Sequence, residues 1–256
     1  MKWPVELTLI RHGESEFNAL KASKRTSGLY DEFCDHFKRE WDSPRTRDLA
    51  LRVQKEFSLD FGDYDTPLTT KGTEQAGQTA SRLSQTVGLP DAVFVSPYLR
   101  TCQTFSAMKV PWPDLGRAKI LFDDRIREQE HGLSLLYNDW RVMHVLHPAQ
   151  HHLWERQGRY WYQFPQGESV SQVRDRARSW MTTLIREFAG KRVLAITHHL
   201  TILSLRANLE RLSPEQFIRL DEEETPINCG VTVYRGNFDL GSDGRLQLAL
   251  YNQQLY

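Results

Sequence analysis

The sequence lacks the features that mark secreted, membrane-spanning and nucleic-acid-binding proteins. Its 256 residues include three cysteines, Cys34, Cys102 and Cys229, with no CxxC pair, which indicates neither a disulfide framework nor a zinc site. Lys plus Arg is 33 and Asp plus Glu is 33, and a net charge of zero gives no global field to hold nucleic acid or an anionic membrane. No apolar run approaches the ~20 residues that a membrane helix needs.

Three further absences limit the domain organisation, the cellular location and the function that the sequence can have. No Pro/Gly/Ser-rich linker, repeat or low-complexity tract divides the chain, so residues 1–256 are predicted to form a single domain. The short apolar stretch near the start runs directly into a polar motif, which indicates a first strand and no signal peptide. Without a Gly-rich Walker loop, an ATP-dependent activity is not indicated. We expect a cytoplasmic protein that binds a small molecule, with no nucleic-acid or membrane partner, and a homodimer stays open as an alternative to a monomer.

Short segments rich in β-branched and apolar residues alternate with amphipathic helices. The predicted strands are residues 5–10, 92–95, 120–122, 193–197, 230–234 and 246–251. One helix is predicted to begin near Thr69 and to stop at Gly88, and another to begin at Ser169 with a capping pattern that ends at Gln172. This alternation predicts an α/β fold, a three-layer α/β/α sandwich with a mostly parallel central sheet.

Two stretches break the alternation. Residues 19–65 are mixed in charge and dense in Arg and Lys, and residues 133–165 hold five Trp, Tyr or Phe side chains between Trp154 and Phe164. Connections longer than ~12–15 residues are usually functional or disordered. We interpret both stretches as cap-like insertions. The first carries cations that could hold a second anionic group of a substrate: Lys21, Lys24, Arg25, Arg45 and Arg47.

Polar side chains suited to phosphate follow three of the predicted strands. Arg11 and His12 follow the first, Arg100 lies just beyond the second, and His198 and His199 follow the strand at 193–197. In open α/β sheets, ligands bind outside the carboxyl ends of the strands, so these residues are expected to converge. Planar arginine groups match phosphoryl oxygens, and a neutral imidazole can attack phosphorus if a hydrogen bond fixes its tautomer.

The segment LIRHGESEFN at residues 9–18 resembles the signature of the histidine phosphatase superfamily, which includes the cofactor-dependent phosphoglycerate mutases. Three further segments match in order, namely DTPLT at 65–69 followed by Gly72, SPYLRT at 96–101, and ITHH at 196–199. The resemblance implies a phosphoglycerate mutase-like fold and a histidine phosphatase, an enzyme that needs no cofactor.

The resemblance also implies residue roles. His12 would attack phosphorus and become phosphohistidine, and Glu128, within Arg-Glu-Gln, would act as the general acid. The phosphoryl oxygens would be bound by Arg11, Asn18, Arg100 and His198, with His199 beside them at the substrate. Among other acids, Glu130 is interpreted as a solvated charge, Glu14 as shaping the loop after the nucleophile, and Glu168 as a support for the site.

A metal site is the alternative reading of His144, His147, His151 and His152. Helical spacing would place three of them on one face, where histidines can bind zinc. Pro148 interrupts the segment and no carboxylate lies between His144 and His152, so a solvated or capping cluster is favoured. We predict no metal requirement.

The residues within and after the motifs rank three candidate functions. The acidic residues after the first motif and the His-His pair favour the mutase-like branch over the acid phosphatase and phytase branch. The long insertion after Asn18 and the LSLL sequence at 133–136 depart from mutases of that branch. A phosphatase acting on small phosphate monoesters is therefore the first hypothesis, a phosphoglycerate mutase the second, and an inactive phosphate-binding module the third.

Overall fold

A computed structural model of the chain describes residues 2–237 and 239–256. Its central sheet has six strands: β1 (Glu6–Arg11), β2 (Ala92–Val95), β3 (Lys119–Phe122), β4 (Arg192–Thr197), β5 (Val231–Asn237) and β6 (Arg245–Gln253). The strand order is β3-β2-β4-β1-β5-β6. The first four in this order run parallel, whereas β5 pairs antiparallel with both β1 and β6. The predicted α/β class and mostly parallel sheet are confirmed.

Helices cover both faces of the sheet, as an α/β/α sandwich requires. On one face, α4 (Thr70–Leu83) and α5 (Leu99–Lys109) bury Ala76, Ala80 and Met108 against strand residues such as Ile10. On the other face, α8 (Val170–Glu187) and α9 (His199–Glu210) pack Trp180, Leu184 and Ile202 against residues that include Leu7 and Phe94. Alternating strand residues therefore face two separate cores, which explains the uninterrupted apolar strand sequences.

The predicted element positions are confirmed with small shifts at their ends. Strand β2 has the predicted bounds, and the last two strands extend beyond them. The Thr69 hydroxyl accepts a hydrogen bond from the Gly72 amide at 3.0 Å and caps α4 at the predicted start. The predicted end was wrong, because α4 ends at Leu83 and a turn occupies the residues before Gly88.

The chain divides into two compact units. The first, residues 1–15, 64–128 and 172–256, contains the sheet, and the second consists of residues 16–63 and 129–171. The two predicted insertions therefore fold together into a helical unit. Its helices are α1 (Glu16–Lys24), α2 (Gly28–Glu40), α3 (Pro44–Glu56), α6 (Trp140–Leu146) and α7 (Pro148–Trp161). Their core contains Phe33, Leu49, Val53, Val142 and Val145.

Two of the cations in the first insertion are already paired within the helical unit. The Lys24 ammonium is buried 3.1 Å from the Asp139 carboxylate and also donates to the carbonyl of Asn138 at 2.6 Å. Arg45 is 2.5 Å from Glu32. The suggestion that Lys24 holds an anionic group of the substrate was therefore wrong, because its ammonium is buried and already paired with the Asp139 carboxylate. That the insertions select the substrate stays a prediction.

The four histidines of the second insertion divide into two pairs, since His147, at the cap between α6 and α7, and His152 are exposed as expected, whereas the other two are buried. Pro148 begins α7 and separates the two helices as expected, but His144 and His151 are buried with their Nδ1 atoms 3.5 Å apart. The rings of Trp140 and Trp154 lie against His144. Solvation was therefore the wrong interpretation for this pair. Across residues 2–237 and 239–256, no group of three or more potential ligand side chains is arranged to hold a metal ion.

The burial of His144 predicts a pH dependence of stability. Burial first, and then the neighbouring His151, lower the pKa of His144 from 6.5 to about 4, against the opposing effect of Asp139. As the pH falls from 6.5 to 4, His144 binds a proton in the unfolded chain but not in the folded chain. The free energy of unfolding therefore decreases across that window. The loss from this group should reach about 3 kcal/mol near pH 4. Denaturant unfolding followed by circular dichroism measures it.

The matched variants are His144→Phe, which keeps an aromatic ring in the cluster, and His152→Phe at an exposed position. The first should have a flatter stability profile between pH 4 and 6.5 than the wild type. The second should follow the wild type. Identical profiles for all three proteins would show that His144 does not contribute to acid sensitivity.

No helix within the described ranges is both long enough and apolar enough to cross a bilayer.

Candidate active site

The carboxyl ends of three adjacent parallel strands bring most of the predicted residues together. Arg11 ends β1, where it is in register with Thr197 of β4, and Val95 of β2 is in register with Ile196 of the same strand. The residues that follow these strand ends therefore lie at one edge of the sheet. His12 and His198 are buried there with their ring centroids 5.1 Å apart.

The His12 ring is held in one tautomer. Its Nδ1 lies 2.7 Å from the carbonyl oxygen of Gly13. A carbonyl can only accept a hydrogen bond, so Nδ1 carries the proton and Nε2 keeps its lone pair. Burial, followed by Arg100 and Arg11, lowers the pKa of His12 well below 6.5. The ring is therefore a neutral imidazole at pH 7, the form that can attack an electrophile.

The nucleophile loop is held by a close glycine contact. A Cβ atom on Gly13 would lie 2.3 Å from the carbonyl oxygen of Gly72, and one on Gly72 would lie 2.0 Å from that of Glu14. The Gly13 amide also donates to the hydroxyl of Thr104 at 3.0 Å, and that hydroxyl donates to the carbonyl of Arg100 at 2.7 Å. The two backbones are in direct contact here, and this contact leaves no room for a side chain at position 13 or position 72.

The groups beside His12 form a cationic and hydrogen-bonding cluster. Arg100 is buried with its guanidinium 4.7 Å from the centroid of the Tyr98 ring. Arg11 donates to the carbonyl of Pro226 at 2.7 Å. His198 Nε2 is 2.8 Å from the hydroxyl of Ser96, and burial, followed by Arg100, His12 and Arg11, lowers its pKa. An anion bound in this cluster would experience two permanent positive charges.

Two buried nitrogens of the cluster have no hydrogen-bond partner in the part of the chain that the structure describes. They are Nε of Arg11 and Nδ1 of His198. An unsatisfied buried donor costs about 1–3 kcal/mol. A tetrahedral oxyanion with several acceptor oxygens is a ligand that can satisfy such donors, and arginine groups are well matched to it.

Glu128 lies in the same unit, on the segment after the 3₁₀ helix Asp124–Ile126. Its Oε1 accepts a hydrogen bond from the Leu200 amide at 3.1 Å, near the start of α9. Its charge also acts on Arg11, where it opposes the lowering of the arginine pKa by burial. A carboxyl group thus faces the cationic cluster, which is where an acid or base for a bound phosphate ester would be needed.

Three other residues that the sequence analysis singled out are His199, Asn18 and Glu14. His199 Nε2 lies 2.5 Å from the buried carboxylate of Asp221, which orients its ring. Asn18 lies on α1 in the helical unit. Glu14 accepts hydrogen bonds from Lys71 at 2.7 Å and from Thr69 at 3.2 Å, which agrees with a role in shaping the loop.

Glu168 supports the backbone of its own unit. Its Oε2 accepts a hydrogen bond from the Glu130 amide at 3.1 Å, and its own amide donates to the Glu130 carbonyl at 2.7 Å. The side-chain amide of Gln129 donates to the Glu168 carbonyl at 2.7 Å. These contacts brace the segment that follows Glu128 in the chain.

Several residues that shape the site were missed in the sequence. Arg176 on α8 donates to the backbone carbonyls of Arg125 and Arg127, which precede Glu128, and to that of Glu128 itself. Asn228 donates to the His12 carbonyl at 3.1 Å, and the Cys229 amide donates to those of Arg11 and His12. Asp221 orients His199. None lies in a recognisable motif, because each acts through tertiary contacts with the backbone or with another side chain.

Comparison with known proteins identifies the family. The model of the histidine phosphatase superfamily (branch 1) matches residues 54–247, more than half of the chain. A phosphoglycerate mutase-like protein of Arabidopsis thaliana is 26% identical over 234 residues, covering 82% of this chain and 70% of that protein. The Serratia proteamaculans protein named "Probable phosphoglycerate mutase GpmB" is 26% identical over 235 residues, covering 87% of both.

Solved structures agree in fold. A mycobacterial glucosyl-3-phosphoglycerate phosphatase, in complex with inorganic phosphate, aligns with a TM-score of 0.64 at 19% identity and covers 98% of both chains. A structure described as mycobacterial hydrolase 2 aligns with a TM-score of 0.65 at 20% identity, covering 98% of this chain and 91% of the other. The fold is thus that of a histidine phosphatase, an α/β enzyme fold. The chain belongs to the histidine phosphatase superfamily, as its motifs indicated.

The matched residues begin at 54, so the RHG segment lies before them. Helices α1 and α2 and most of α3 lie between that segment and the matched residues, while β1, which carries the segment, holds an inner position in the sheet.

Proposed function

We propose that the chain is a phosphatase that hydrolyses phosphate monoesters of small molecules through a phosphohistidine at His12. The observation that carries this proposal is the held tautomer of His12. Its Nδ1 bonds to the Gly13 carbonyl at 2.7 Å, and its other nitrogen keeps a free lone pair beside two arginines. A nucleophile with a fixed, neutral ring in a cationic site is suited to attack on a phosphoryl group.

The reaction follows in two transfers. In the first, His12 Nε2 forms a bond to phosphorus while the ester P–O bond breaks, and the Glu128 carboxyl gives its proton to the departing oxygen. In the second, the Glu128 carboxylate takes a proton from water as that water attacks phosphorus and the N–P bond breaks. Arg11, Arg100 and His198 bind the phosphoryl oxygens, where their donors stabilise the charge that develops in each transition state.

From the family resemblance we also propose two further ligands: Asn18 for the phosphoryl group, and His199, oriented by Asp221, for the substrate. The substrate is a small phosphorylated metabolite, and the protein needs neither nucleic acid nor a membrane. We expect it to act in the cytoplasm.

A phosphoglycerate mutase is the second candidate, and the names of two relatives favour it. The fold similarity to a glucosyl-3-phosphoglycerate phosphatase is compatible with the first candidate. The experiment is a panel of phosphorylated metabolites assayed for released phosphate, with parallel detection of 2- and 3-phosphoglycerate interconversion. Phosphate release without interconversion supports the phosphatase, interconversion supports the mutase, and neither activity with retained phosphate binding supports an inactive binding module.

Chelation should leave the reaction rate unchanged. The positive charges that act on the phosphoryl group come from the guanidinium groups of Arg11 and Arg100, so the proposed mechanism assigns no step to a metal ion. The measurement is the initial rate with and without EDTA after dialysis. A large loss that zinc or magnesium restores would contradict the prediction and would require a metal in the reaction.

A further inference from the structure

The segment that carries Glu128 is fixed by one side chain that the sequence motifs do not include. The Arg176 guanidinium donates to three carbonyl oxygens of this segment, at 3.0 Å to Arg125, 2.8 Å to Arg127 and 2.8 Å to Glu128. All four residues belong to the unit that contains the sheet. A planar guanidinium with several donors in a fixed fork can hold three carbonyls at once, which an ammonium on a flexible chain cannot do in the same way.

Other contacts fix the same segment at the sheet edge. The Thr197 hydroxyl donates to the Ile126 carbonyl at 2.6 Å, and the Thr201 hydroxyl donates to the Arg127 carbonyl. The Leu200 amide then donates to the Glu128 carboxylate at 3.1 Å. Residues of β4 and α9 thus hold the segment from one side while Arg176 of α8 holds its backbone, so the direction of the Glu128 carboxyl depends on both.

We propose that Arg176 is a positioning residue for Glu128, which sets the carboxyl at the distance from the leaving oxygen that proton transfer requires. The inference rests on the proposed function, because it assigns Arg176 a role only if Glu128 is the general acid. Arg176 acts through the backbone carbonyls of residues 125–128, and its charge also reaches His198. Proton transfer requires hydrogen-bond distance to the departing oxygen, so a displaced segment loses rate even though the carboxyl is still present.

The test compares leaving groups in Arg176→Gln and Arg176→Lys. With an alkyl phosphate, whose departing oxygen is basic, kcat/KM of Arg176→Gln, which reports the first transfer, should fall roughly 10–100-fold. With para-nitrophenyl phosphate, whose departing oxygen needs little protonation, kcat/KM should fall by less than about threefold. The Lys variant keeps the charge and should show the same selectivity with a smaller loss. If the Gln variant does not fold, the Lys variant carries the same comparison.

Arg174→Gln is the matched control. Arg174 lies on the same helix and donates to Asn208 at 2.9 Å and to the Ala207 carbonyl at 3.0 Å on α9, so its loss removes a comparable set of contacts away from Glu128. Its kcat/KM should keep the wild-type ratio between the two substrates. Equal losses on both substrates in the Arg176 variants would overturn the proposal, since that result describes a general structural role.

A double variant separates this inference from the proposed function. In a Glu128→Gln background, Arg176→Gln should have little further effect on alkyl phosphates, because the group it positions is already gone. Additive losses would overturn the positioning role and leave the phosphatase mechanism intact. Failure of the proposed function would look different, since the wild type itself would then form no phosphohistidine and release no phosphate.

Discussion

Replacing His12 with alanine should abolish phosphoenzyme formation and lower kcat by about 10⁵–10⁶-fold, the scale of loss when a covalent nucleophile is removed. In the wild type, rapid quench with labelled substrate should trap an acid-labile, base-stable phosphoprotein. The physical reason is that Nε2 of His12 is the only ring nitrogen of this residue with a free lone pair, because the Gly13 carbonyl engages the other. Without the imidazole, water would have to attack the ester directly.

The fold of the His12→Ala variant should survive. Its ring donates a hydrogen bond to the neighbouring backbone carbonyl, and such a bond contributes about 1 kcal/mol. Thermal unfolding would check this. His152→Ala, at an exposed position of the helical unit, is the control and should keep both label and turnover. Label retained in His12→Ala would move the covalent site to another residue and refute the assignment.

Much of the sheet could be predicted because its strands carry their own signal. Residues 92–95 are apolar throughout, which is what a strand buried on both faces requires, and the structure places β2 there with the same ends. The C-terminal end of α4 could not be predicted from the sequence with equal accuracy. Gly88 is a plausible stop, but the helix ends at Leu83, where a turn takes over before the glycine is reached.

The helical unit was the least predictable part of the chain. Residues 19–65 have a mixed charge pattern, and the apolar residues of their helices are covered by residues more than 80 positions away, such as Val142 and Val145. A local pattern does not reveal a partner at that distance. The burial of His144 and His151 was missed for the same reason, since Trp41, far away in the sequence, lies against His151, and Trp140 lies against His144.

The candidate site was predictable where the sequence motif and the strand end coincide. Arg11, His12, Arg100 and His198 follow strands that proved to be neighbours in the sheet. Arg176 and Asn228 were not predictable, because they contact backbone atoms rather than a motif side chain. Backbone contacts of this kind place no requirement on the sequence of the segment they hold.

The Glu128→Gln variant should lose far more activity on substrates with poor leaving groups than on those with good ones. General acid catalysis contributes ~10²–10⁴-fold, and kcat/KM for alkyl phosphates, which reports the first transfer, should fall by that factor. With para-nitrophenyl phosphate the departing nitrophenolate is stable without a proton, so the loss in the first transfer should be small. Glutamine has nearly the same shape and its amide oxygen can still accept the Leu200 hydrogen bond, so the segment should stay in place.

Trapping the phosphohistidine in Glu128→Gln tests both roles of Glu128, because it is the acid in the first transfer and the base in the second. With para-nitrophenyl phosphate, Glu128→Gln should form the phosphohistidine at nearly the wild-type rate but hydrolyse it slowly, since no carboxylate takes the proton from water. The labelled intermediate should therefore accumulate in a burst. Glu130→Gln is the matched control, as that carboxylate is two positions away in the sequence and belongs to the other unit. Equal losses for alkyl and nitrophenyl phosphates, with no accumulated intermediate, would assign Glu128 a structural role and make Glu130 the next candidate for the acid.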